Sequence, residues 1–77
     1  MGQKRTLFPL AVMEKVFKKI KNDIRVSETA KVELEKVINE YATRIGETSI
    51  KAAEHAGRKT VKAEDIELSV KNLTKSF

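Results

Sequence analysis

The chain has 77 residues, 16 Lys+Arg against 11 Asp+Glu, a net charge of +5 and no cysteine. A domain of this size buries only about 60% of its unfolded surface, and the usual supports are disulfides, a metal or a second subunit. With no Cys and a single His, disulfides and Cys- or His-based zinc sites are excluded, and oligomerisation remains.

No apolar run approaches the ~18 residues of a membrane span, and the N-terminus lacks a signal-peptide core. We therefore expect an intracellular protein. One His, one Tyr and no Gly-rich phosphate loop give no nucleophile–base pair or phosphate cradle, so neither an enzyme nor a cofactor is expected.

Residues 1–7, with Lys4 and Arg5, read as a short basic tail. Pro9 then suits the first turn of a helix, where a missing N–H costs nothing. Leu10, Met13, Val16, Phe17 and Ile20 recur on one helical face, and Lys15, Lys18 and Lys19 fall mainly on others. The segment Asn22–Val26 breaks the pattern as a loop. Ser27 is a good N-cap, and Glu28 suits the positive end of the helix dipole behind it.

The next apolar stripe runs through Ala30, Leu34, Val37, Ile38, Tyr41, Ala42, Ile45, Ser49, Ala52, Ala53 and Ala56, and Gly57 stops it. A helix of about 29 residues is predicted, roughly 44 Å long. After Arg58–Lys62, Ala63-Glu64-Asp65 opens a third helix with acidic residues in its first turn. Ile66, Val70 and Leu73 supply one face of it, with Leu68 alongside. The only strand-like possibility is a pairing of the short segments around Val26 and Val61. Residues 8–74 make one domain, and 75–77 are expected to fray.

Two short helices cannot cover the stripe of so long a central helix. A second copy crossing near residue 42 would bury it, and Ala42 and Gly46, one turn apart, would let the two helices approach closely. An interior Gly costs about 1 kcal/mol against Ala and wants such a reason. Leu34, Val37, Ile38, Tyr41, Ala42, Ile45 and Gly46 are thus the expected dimer core.

The charge is segregated. Residues 1–25 carry seven positive and two negative groups, residues 26–57 four and six, and residues 58–77 five and three. Basic ends around an acidic middle point to a polyanion such as nucleic acid. First-helix charges are lysines, and no Asn/Gln/Arg cluster is placed to read bases bidentately, so binding should be largely sequence-neutral.

The run Ala53-Glu54-His55-Ala56-Gly57-Arg58-Lys59-Thr60-Val61-Lys62-Ala63-Glu64-Asp65-Ile66-Glu67-Leu68-Ser69-Val70 resembles the second loop and third helix of archaeal histones. Arg25-Val26-Ser27 resembles that family's first loop, and Leu7 to Lys18 its first helix. The resemblance implies an all-α histone fold, an intertwined dimer and an architectural DNA-binding role at the chromosome.

By this resemblance Arg25 enters the minor groove, Thr60 stands beside it, and Lys59 binds phosphate. Lys15 belongs to a central patch, and Lys18, Lys19 and Lys62 complete the DNA-binding set. Arg58 and Asp65 match a buried ion pair that shapes the second loop, with Arg58 facing DNA only secondarily. His55 matches a residue that joins dimers end to end through Asp65 of a neighbour.

Two departures bear on these expectations. Ala52 replaces a bulkier apolar residue of members that stack dimers, which weakens the contact between them. The first loop is one residue longer than the family pattern. The expected partners are double-stranded DNA, a second copy of the chain and larger assemblies of it, and other histone-fold chains; no membrane is expected. The alternative function is a pairing component of a transcription or repair complex.

Overall fold

A computed structural model describes residues 6–74. It contains three helices, α1 (Leu10–Ile20), α2 (Glu28–His55) and α3 (Ala63–Thr74), in the short–long–short order expected. Among the described residues there is no strand, so the segments around Val26 and Val61 form no β-ladder within one chain. Among the described residues no helix is long and apolar enough to cross a membrane. The chain divides between Glu40 and Tyr41, inside α2, into two compact units. The outer part of the expected N-terminal tail and residues 75–77 lie outside the described residues.

In the first unit, Pro9 is the N-cap of α1 rather than its first helical residue, with φ −64° and ψ 141°. Its carbonyl accepts the Val12 N–H at 3.1 Å. No side chain caps this end, and the N–H groups just before it are met from α2 instead. Glu35 is only 5% exposed. Its Oε2 accepts the backbone N–H of Leu7 at 2.9 Å and of Phe8 at 3.3 Å, and the Asn39 side-chain amide at 3.2 Å. Leu7, the last residue of the predicted tail, is therefore held to the first unit's helix α2.

Glu35→Ala removes this acceptor from two backbone donors and from the half-buried Asn39 amide. A loss of about 1–3 kcal/mol is expected. Thermal melts would measure it, and hydrogen exchange should accelerate at the Leu7 and Phe8 amides.

Ser27 caps α2 as the sequence predicts. Its hydroxyl oxygen accepts the Ala30 N–H at 3.1 Å, and its carbonyl accepts the Lys31 N–H at 3.1 Å. Met13 is buried at 2% exposure, whereas Val16 and Ile20 of the same predicted face are 40% and 81% exposed.

In the second unit, α2 ends at His55, and Gly57 in the turn after it has a φ of +74°, the left-handed conformation that glycine adopts without a Cβ penalty. The Gly57 N–H donates to the Glu54 carbonyl at 2.9 Å and the Arg58 N–H to the Ala53 carbonyl at 2.9 Å, a Schellman ending.

The face that α3 buries differs from the predicted one. Asp65 and Ser69 are buried, while Ile66, Leu68 and Val70 are 44%, 51% and 36% exposed. The Ser69 hydroxyl donates to the Asp65 carbonyl at 2.9 Å, and Ser49 and Ser69 share a hydrogen bond at 3.0 Å. Polar groups can be buried here because they satisfy one another.

The predicted apolar face instead borders an open groove of about 540 Å³, lined among others by Tyr41, Ile45, Ile50, Val61, Ile66 and Val70. Met13 and Ala53 are the fully buried hydrophobic residues among those described. A single chain thus supplies very little core of its own.

Candidate nucleic-acid interface

The residues of the first unit expected to meet DNA lie on α1 and the loop after it. Lys15, Lys18 and Lys19 are exposed on α1, and Arg25 is exposed in the loop from Lys21 to Ser27. Lys18 is paired with Glu14 at 3.6 Å, and Lys21 with Asp23 at 3.9 Å. Arg25 forms no ion pair among the described residues.

Lys31, not singled out from the sequence, behaves differently. Its Nζ lies 2.9 Å from Glu28 and 3.4 Å from Glu14, and its side chain is only 14% exposed. The hydrogen bond to Glu28, reinforced by Glu14, holds its pKa above the ordinary lysine value against the opposing effect of burial.

In the second unit the loop between α2 and α3 is shaped by one carboxylate. Asp65 receives Arg58 in a bidentate pair, Nη1 to Oδ2 at 3.0 Å and Nη2 to Oδ1 at 3.2 Å. The Lys62 backbone N–H donates to Oδ2 at 2.7 Å, so the third residue of α3 reaches back to cap its own helix. Arg58 Nη1 also donates to the Thr60 carbonyl at 2.9 Å, and Nη2 lies 3.6 Å from Glu64. The Arg58 guanidinium, and then the Lys62 N–H, hold the Asp65 carboxyl below the usual carboxylate range. The same contact raises the Arg58 pKa.

Arg58 is therefore committed to its own loop, while Lys59, Thr60 and Lys62 stand exposed on it. Of the residues expected where dimers join, His55 is exposed at the end of α2 and Ala52 is half-buried. Asp65 is turned inward, its side chain 5% exposed and both oxygens engaged within its own chain.

A family model described as histone-like transcription factor (CBF/NF-Y) and archaeal histone matches residues 6–70. The chain belongs to this family. One of the subunits of the archaeal histone HAN1 from Thermococcus zilligii is 44% identical over 63 residues, which cover 82% of this chain and 92% of that protein. For a histone-family chain the exposed cations on α1 and on the two loops are the candidate interface.

The sequence did not single out the burial of Glu35 or the Ser49–Ser69 pair. For Glu35 a signal existed: Leu7-Phe8-Pro9 offers no side-chain acceptor at the start of the first helix, so one must come from elsewhere. For the serines there was none, because small residues on an apolar stripe read as packing.

Proposed function

We propose that this chain is a non-enzymatic architectural chromatin protein whose homodimer binds, bends and compacts double-stranded DNA with little sequence preference. The observation that carries the reading is the open apolar groove of the second unit, beside a loop whose cations are exposed. A face holding Tyr41 at 42%, Ile50 at 49% and Ile66 at 44% exposure is costly in water. A second copy crossing near Ala42 covers it, with Leu34, Val37, Ile38, Tyr41, Ile45 and Gly46 in the interface.

Pairing joins two sets of basic elements. Lys15, Lys18 and Lys19 of the two first helices form a central patch. Arg25 of one protomer lies beside Lys59, Thr60 and Lys62 of the other, with Arg58 holding that loop in shape. Arginine in an inward-facing minor groove and lysine on phosphate constitute binding through backbone and deformability. The protein then resides on the chromosome. Larger assemblies through His55 are disfavoured, since Ala52 is small and Asp65 is engaged within its own chain.

Gly46 tests the pairing. A Cβ added there meets nothing within 4 Å in the single chain. For a monomer, Gly46→Ala would be stabilising by about 1 kcal/mol through helix propensity. For crossed helices it separates the two copies, so a lower melting temperature and a weaker dimer are expected.

A second reading is favoured by the Thermococcus zilligii relative, which is itself one of the subunits of its histone. It places a different histone-fold chain in the groove and a transcription or repair complex around it. The deciding experiment is titration of the purified chain alone onto mixed-sequence duplexes. Affinity should fall steeply with salt, and Arg25→Ala should weaken all sequences alike by about tenfold. Absence of duplex binding at low salt would remove the architectural reading.

A further inference from the structure

The loop that carries Arg25 has few fixings of its own. The Ile24 N–H donates to the Lys21 carbonyl at 3.2 Å, and the Lys21–Asp23 pair at 3.9 Å is exposed. The helices on either side of it are tied more firmly. Glu14 on α1 and Glu28 on α2 both hold the ammonium of Lys31, at 3.4 Å and 2.9 Å. In a basic chain, a lysine serving phosphate directly would present its head to solvent. This one is 14% exposed and enclosed between carboxylates.

We infer that Glu14 and Lys31 are positioning residues for Arg25: their clasp across the two helices fixes the path of the Lys21–Ser27 loop and pre-orders the arginine for the duplex. The inference rests on the DNA-binding reading above. Partly exposed ion pairs add little to folding stability, so the clasp acts on the loop. Restricting the loop before binding lowers the ordering cost that complex formation otherwise carries.

Glu14→Gln tests the effect; it also releases Lys18, which Glu14 meets at 3.6 Å, and a double-mutant cycle cancels that contribution. The substitution opens the link between the helices while Glu28 keeps Lys31, and it raises the net charge by one, which on charge alone strengthens DNA binding. The test is a double-mutant cycle in the full-length protein, with Arg25→Ala in both backgrounds, read by duplex titration at fixed salt. Arg25→Ala is expected to weaken binding about tenfold in the wild type and less than about threefold in Glu14→Gln. The melting temperature of Glu14→Gln should stay within about 2 °C of wild type.

Amide hydrogen exchange over residues 22–26, measured without DNA, should be faster in Glu14→Gln. Equal factors in the two backgrounds, or unchanged exchange, would overturn the inference. A wild-type protein that ignores duplex DNA would defeat the DNA-binding reading instead, and the exchange experiment would still judge the clasp.

Discussion

Tyr41→Lys is expected to leave the purified chain without a cooperative thermal transition. In a single chain this position is 42% exposed on a helix. A lysine there would be nearly neutral, since exposed substitutions away from special features shift stability by roughly ±0.5 kcal/mol. In the paired molecule the same position is covered by a second copy. An ammonium without a partner would then be buried at a cost of several kcal/mol, and the tyrosine ring would be lost from the interface. A core of this size supplies only about 3–5 kcal/mol in total, so the penalty consumes the margin. Circular dichroism melts separate the two cases, because a normal transition in Tyr41→Lys would mean that α2 does not pair through this face.

Asp65→Asn is expected to lower the melting temperature at neutral pH and to flatten its fall in acid. The side chain keeps its shape but loses the charge that receives Arg58 twice and the Lys62 N–H once. The folded protein holds this carboxyl below its ordinary range, chiefly through the Arg58 hydrogen bond. As pH falls below about 4, the unfolded chain therefore takes up its proton first. The contribution of Asp65 is complete above the ordinary carboxylate pKa and is lost as pH drops through the depressed one. Wild type should lose more stability than Asp65→Asn over that acid window. Parallel losses would mean that the pair formed with Arg58 does not stabilise the fold.

The features legible in the sequence are those whose cause is local. Ser27 precedes an apolar stripe and caps α2, and Gly57 ends that stripe in the conformation only glycine takes easily. The Arg58–Asp65 pair was legible only by resemblance, since nothing in the spacing alone joins residues across a turn. What was not legible depends on partners distant in sequence. Glu35 reads as one more solvated charge until Leu7 and Phe8 are placed on it. The α3 face shows a different effect. Ile66 and Val70 read as core because they are apolar and periodic, yet the single chain buries Asp65 and Ser69 and leaves the apolar pair on the groove. Periodicity reports which face avoids water, and the molecule that covers it need not be the same chain.

The basic loops follow a similar logic. Arg25 and Lys59 are visible in the sequence as charges, and the fold leaves both exposed. Lys31 shows that a positive charge is not by itself a phosphate contact, because its carboxylate partners lie one on the neighbouring helix and one on its own.

Sedimentation velocity of the full-length chain, alone and with a short mixed-sequence duplex at low salt, bears on the whole account. The free protein should sediment at twice its 8.7 kDa chain mass, and the pair should move onto the duplex as a unit, with an even number of chains per DNA. A folded monomer, or a dimer that leaves the duplex untouched, would contradict it.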